Sequence, residues 1–237
     1  MTFKEATCKN CSHNNPPYLS ICEKCKSYLR ERVVNLDLWE TIRLMIEEPD
    51  AAFKQIIFSE HKNFIVFLAL FIAVKNLIII RFISVPQLGK NGVVTSFIVS
   101  LLLSIVFTFA MFSLTAFIQK KILNKKAITL RFKDYLSLNI YSMIPYLFGL
   151  FLIFPVELTV LGGDIFSNNP YSFQIKPIVV YTLIGFEFLI ILWSLFLFFR
   201  SNLLLTQNKQ FAIIITATVF ILWSISLYIQ SLFIFIL

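Results

Sequence analysis

Beyond Cys25 the chain has no cysteine, and its whole length holds two histidines, six glycines and 14% charged residues. With so few of these residues there is no His-rich cluster, no Ser/His/Asp set, no phosphate-binding P-loop and no open metal site, so an enzyme is the class least supported. The glycines form no GxxxG seam, which leaves dimerisation illegible from small residues. Acidic residues are scarce too: 13 against 21 basic, for a net charge of +8.

What the chain has in abundance is apolar surface. Hydrophobic residues make up 58% of it, 27 of them Phe, and the mean hydropathy is +0.80. That composition belongs to a membrane protein. The charge does not point to nucleic acid. Residues 1–62 hold 9 basic and 9 acidic residues, whereas 63–237 hold 12 and 4, and the excess sits in loops between apolar runs. There it orients the chain and meets anionic headgroups.

Five runs are long enough to span hydrocarbon, which takes about 20 helical residues: Phe64–Ile83, Val93–Ile118, Leu136–Phe154, Ile178–Phe199 and Phe211–Leu237. They are continuous, not alternating, so they read as helices and not as barrel strands. The first follows some 60 polar and charged residues and is no signal peptide. Lys120–Lys133, KKILNKKAITLRFK, is the most basic connection, and a milder one carries Arg200 and Lys209. Basic loops stay cytoplasmic, so these two and the N-terminal segment share the cytoplasmic side of a cell (inner) membrane. The loops Ser84–Gly92, with Lys90, and Pro155–Pro177, with turn signals at Gly162, Gly163, Asn168, Asn169 and Pro170, fall outside, as does the C-terminus.

The cysteines Cys8, Cys11, Cys22 and Cys25 form C-x2-C-x10-C-x2-C. Each close pair offers two thiolates from one tight knuckle, and two knuckles complete a tetrahedral, structural zinc site. Two disulfides would need an oxidising compartment, contrary to the cytoplasmic placement, and a redox pair lacks a βαβ context. With four thiolates available, His13 is read as a loop residue and not a ligand. The segment, with its Asn14–Pro17 turn, resembles the small zinc ribbons at the termini of many bacterial membrane proteins. Those knuckles often carry Gly after the second cysteine, where this chain has Ser12 and Lys26.

Between ribbon and first span, Leu36, Leu38, Trp39, Ile42, Met45 and Ile46 recur at helical spacing up to Pro49. A second amphipathic helix starts at Pro49 and carries an apolar face of Ala52, Phe53, Ile56 and Ile57; His61 beyond it receives no ligand role. These helices either lie at the bilayer interface, with Trp39 at headgroup depth, or pack on the membrane domain. The organisation is thus a ribbon at 1–30, amphipathic interfacial helices at 31–62 and a five-helix transmembrane domain at 63–237.

Two ionisable residues fall inside the runs, Lys75 in the first and Glu187 in the fourth. Counted from the same boundary they lie at ~12 and ~14 Å, so opposite charges at equal depth predict a pair between those helices. One acid and one base favour a structural pair over a proton or ion path. Pro145 and Gly149 predict a kink in the third helix.

From about Leu36 onward the chain resembles a bacterial Yip1-domain protein, on Pro49 followed by Phe53, on NIYSMIP ending at Pro145, and on TQNKQFAI, Thr206–Ile213. The resemblance implies an all-α fold of five membrane helices, a cytoplasmic N-terminus and no known catalysis. Some members resemble accessory subunits of membrane machines, ABC exporters among them. The expectation is a non-enzymatic membrane scaffold or accessory subunit whose ribbon docks a protein partner. The alternative is a small transporter or channel subunit using Lys75 and Glu187.

Overall fold

The computed structural model describes residues 6–16, 19–30, 33–84, 96–125, 128–163 and 172–236. Pro17, Lys90 with most of its loop, Asp164, Asn168, Asn169, Pro170 and Leu237 lie outside the described residues.

The chain opens with two antiparallel strands of two residues, β1 (Ala6–Thr7) and β2 (Asn14–Asn15), with Ala6 opposite Asn15. The further elements among the described residues are helical: α1 Leu38–Glu47, α2 Pro49–Phe58, α3 Ile65–Ser84, α4 Phe97–Asn124, α5 Phe132–Ser142, α6 Ile144–Phe148, a π-helical turn at Gly149–Ile153, α7 Phe154–Leu161, α8 Ser172–Ile175, α9 Pro177–Thr206 and α10 Lys209–Ile236.

Local chemistry sets several of these boundaries. Asp37 caps α1 by accepting from the Glu40 amide at 2.9 Å. Pro49, in the first turn of α2, needs no amide partner there. Gln207 takes a left-handed conformation at the end of α9, and Asn208 Oδ1 accepts from the Phe211 amide at 3.1 Å, starting α10.

Among the described residues four helical stretches are long and apolar enough to cross a membrane: Phe97–Asn124, Ile144–Leu161, Pro177–Thr206 and Lys209–Ile234. Helix α3 contributes a shorter apolar stretch, Ile65–Ile80. Large apolar side chains face outward along these helices, including Leu102 and Val106 of α4, Phe188 and Leu189 of α9, and Ile214 and Ile221 of α10. So much exposed apolar surface suits a bilayer and not water.

The third run differs most from its expected bounds. Instead of one span at Leu136–Phe154, the chain turns at Met143, and the apolar stretch is Ile144–Leu161. Pro145 sits in the first turn of α6, and Gly149 begins the π-helical turn, so both residues expected to bend the run stand where its regular α-helix is interrupted. Helix α5 is a buried element packed against α2, α3, α4 and α9. Part of its polar surface is matched by neighbouring helices, although Asn139 Oδ1 and Tyr141 Oη are buried without a hydrogen-bond partner. Asn139 Nδ2 donates to Gln119 Oε1 at 2.8 Å and to Thr115 Oγ1 at 3.2 Å, both on α4. Gln119 donates in turn to Asn202 Oδ1 of α9 at 3.3 Å. Four helices are joined once Asn202 reaches Thr216 of α10 at 3.4 Å. In an apolar surround each such bond contributes about 0.6 kcal/mol, so the set favours one arrangement of helices.

The loops also tighten. Lys120 and Lys121 belong to α4, which continues past Ile118 to Asn124, and Lys209 is the first residue of α10. Arg200 lies within α9 and grips Asp50 of α2 through two bonds, Nε to Oδ1 at 3.1 Å and Nη2 to Oδ2 at 2.6 Å. The four residues read as the apolar face of α2 are its buried residues, packed toward α5 and α9. Helix α2 is therefore a packed helix, whereas α1 leaves Trp39 and Ile46 exposed.

Candidate metal centre and buried ion pair

The ribbon is two copies of one local solution. In the first knuckle the Ser12 amide donates to Cys8 O at 2.9 Å, and the Cys8 amide to His13 O at 2.9 Å. In the second, Lys26 N reaches Cys22 O at 3.1 Å and Cys22 N reaches Ser27 O at 2.9 Å. These bonds turn both cysteines of each pair toward one point. All four sulfurs lie within 4.8 Å of one another, and none is in a disulfide. A tetrahedral ion with ~2.3 Å metal–sulfur bonds spaces its sulfurs by roughly 3.8 Å. Cys8 and Cys25, and likewise Cys11 and Cys22, stand 3.5 Å apart, so the set fits a four-coordinate metal. The exposed His13 is outside the set.

Two supporting residues escaped the sequence reading. Asn15 is buried; its Nδ2 donates to His13 O at 2.8 Å, and its Oδ1 accepts from the Glu23 amide at 3.0 Å. It thereby fastens one knuckle to the other, with Nδ2 also 3.5 Å from Cys22 Sγ. Ser27 Oγ lies 2.9 Å from Cys25 Sγ and 3.1 Å from Cys8 Sγ. The side-chain and backbone hydrogen bonds of Ser27 hold the Cys25 thiol down to about 6, toward the thiolate that a metal requires.

Ser12 and Lys26 have φ of 53° and 60°, the left-handed region where a Cβ is disfavoured. Their side chains are exposed. Ser12→Gly and Lys26→Gly are each expected to stabilise the metal-bound ribbon by about 1 kcal/mol, or roughly fivefold tighter metal retention. Competition with a chromophoric chelator measures this; unchanged or weaker retention in both variants contradicts it.

Inside the bundle the structure brings Lys75 of α3 and Glu187 of α9 into an ion pair between Lys75 Nζ and Glu187 Oε1, with both residues buried. The π-helical turn lies against them. A Cβ placed on Gly149 would stand 2.9 Å from Glu187 Oε2 and 3.1 Å from Lys75 Nζ, so any larger residue would require the ends of the paired side chains to shift. Around the pair, Tyr146 Oη donates to Asn76 Oδ1 at 3.0 Å, and Asn76 Nδ2 to Thr108 Oγ1 at 3.0 Å.

A second buried cation went unrecognised in the sequence. Lys62 Nζ donates to Ser59 O at 2.9 Å and Ile57 O at 3.1 Å, closing the end of α2, and pairs with Asp134 Oδ1 at 3.2 Å. Burial pushes its ammonium down to about 8, against the opposing pull of Asp134. Arg131 also binds Asp134, at 2.9 Å, and reaches Ser59 O at 3.2 Å, so α2 and α5 are tied at one end of the bundle. The ribbon docks at that end. Arg30 stacks 4.1 Å above the Phe58 ring, and the Glu60 and His61 amides donate to Val33 O and Val34 O, each at 3.0 Å. Ile21 and Tyr28 of the ribbon line a cleft there with Thr129 and Arg131.

Comparisons of the chain with protein-family models, with curated proteins and with solved structures find no match.

Proposed function

We propose that the chain is a non-enzymatic, multi-pass membrane scaffold or accessory subunit of a larger membrane complex, of the kind represented by ABC exporters. Its ribbon holds a structural zinc and presents a rigid cytoplasmic platform to a protein partner. The observation that carries this reading is the closed four-cysteine set fixed against α2. Four protein ligands leave no coordination position for water, so the metal shapes a surface and does not activate a reactant. Arg30 over Phe58 and the two backbone bonds at Glu60 and His61 hold that surface in a set orientation to the bundle.

In this reading α3 is a fifth span. Its 20 residues cover ~30 Å, the thickness of a hydrocarbon core. The arrangement is then Yip1-like, with ribbon and Lys120–Lys133 cytoplasmic and the C-terminus outside the inner membrane. Impermeant maleimide applied to intact cells is expected to label Asn168→Cys and to spare Asn124→Cys. Labelling in the opposite order means the orientation is inverted.

The function itself is tested by purifying the tagged chain from native membranes. A stoichiometric protein partner is expected, and Cys22→Ser should release it. Buried Lys75 and Glu187 favour a second reading, a small transporter or channel subunit, because such residues mark ion paths as well as packing. Purification of the chain alone, together with solute flux in vesicles holding nothing else, would replace the scaffold by the transporter.

A further inference from the structure

Three carboxylates are buried among the described residues. Asp134 is paired with Lys62 and Arg131, and Glu187 with Lys75. Glu157 of α7 is 1% exposed, and among the described residues it has no ion pair, while its Oε2 has no hydrogen-bond partner. It nevertheless interacts electrostatically with both Lys75 and Glu187. Glu187 Oε2 is likewise buried without a partner. It points at Gly149, the residue that opens the π-helical turn leading into α7. Such turns recur at functional sites.

The charges do not balance. Lys75 neutralises one carboxylate, so with both glutamates ionised the buried group holds one negative charge. Beside it among the described residues, Tyr146 of α6 and Asn76 of α3 are neutral and bonded to each other. Lys176, at the same end of the bundle, donates instead to Val160 O at 2.7 Å. An uncompensated charge is costly at such depth, and one proton removes it.

We propose that Lys75, Glu187 and Glu157 together form a one-proton site, in which a single proton is held by one or the other of the two carboxylates and exchanged with water at the end of the bundle that carries Gly162, Gly163 and Lys176. Glu157 is the entry group, because Leu161 closes α7 four residues later, about 6 Å along the axis, before exposed Gly162 and Gly163. Uptake adds a proton from hydronium to a Glu157 oxygen and releases water. The alternative state carries the proton on a Glu187 oxygen: the Glu157 O–H bond breaks with its proton passing to water, hydronium supplies a proton to Glu187, and Lys75 stays with the carboxylate left ionised. The site stands apart from the ribbon and is independent of the scaffold reading.

The test is pH-difference infrared spectroscopy of the full chain in lipid vesicles, with and without 13C-glutamate. Exposed glutamates titrate near pH ~4.3, so a protonated glutamic acid band persisting at neutral pH reports a buried site. The wild type is expected to show one such band, sensitive to the isotope and lost on raising the pH. Either Glu157→Gln or Glu187→Gln should abolish it, since Lys75 then faces one carboxylate. Lys75→Met should double it, since both carboxylates must then carry protons. Absence of the band from the wild type overturns the proposal even where a variant misfolds. Its persistence in both glutamine variants overturns it as well.

Discussion

Stripping the metal from the ribbon, by chelation or through Cys22→Ser, is expected to unfold residues 6–30 and leave the helical bundle standing. Among the described residues the ribbon's regular structure amounts to two strands of two residues and one isolated bridge between Ile21 and Tyr28. Its buried interior is largely Cys8, Cys22 and Asn15. A segment this small cannot offset its chain entropy by apolar burial, and zinc binding in comparable segments supplies ~10–16 kcal/mol of folding free energy. Without the ion the thiolates, brought within 3.5 Å in pairs, would repel, and the turns at Ser12 and Lys26 would relax from their left-handed conformations. The bundle does not depend on this, since its helices are joined by the Asn139–Gln119–Asn202 bonds and the Arg200–Asp50 grip. Elemental analysis should find one zinc per chain. Limited proteolysis should then cut Cys22→Ser ahead of α1 while far-UV circular dichroism keeps its helical amplitude. A ribbon that resists protease equally with and without the metal would be a folded unit in its own right, and the zinc role would fall.

Lys75→Met is expected to destabilise the bundle by roughly 3–5 kcal/mol, the cost of removing the counter-ion of buried carboxylates, which must then take up protons to stay buried. Glu187→Gln should cost less, because Glu157 remains within electrostatic reach of the stranded ammonium. The double variant should recover part of the loss suffered by Lys75→Met, since it removes the unpaired carboxylate at Glu187 as well. The partners sit 112 residues apart, on α3 and α9, so the coupling reports tertiary packing and not local helix propensity. Unfolding of the reconstituted chain in graded denaturing detergent measures all three. Equal stability of the three variants and the wild type would mean that the pair contributes nothing to holding the helices.

The sequence by itself determined whatever depends on composition, short spacing or period. The hydrophobic content settles the membrane class, the C-x2-C pairs bring their thiolates together through local knuckles, and Pro49 with its 52, 53, 56, 57 stripe marks α2 and the face it buries. Lys75 and Glu187 could be matched because depth along a straight helix follows from residue number. Other features needed the tertiary structure, because they depend on which helix lies beside which. Average hydrophobicity merges α5 with α6 into one run; the break at Met143 is tolerable only where Asn139 finds Thr115 and Gln119 on α4. Glu157, assigned by sequence to a loop, becomes a third member of the buried charge group because the apolar stretch shifts to Ile144–Leu161. Lys62 reads as a flanking charge and is buried because the end of α2 turns its carbonyls, and α5 its Asp134, onto the same ammonium. The two amphipathic helices look alike in sequence. Only the presence of α5 and α9 beside α2, and the exposure of Trp39 and Ile46 on α1, gives them different surroundings.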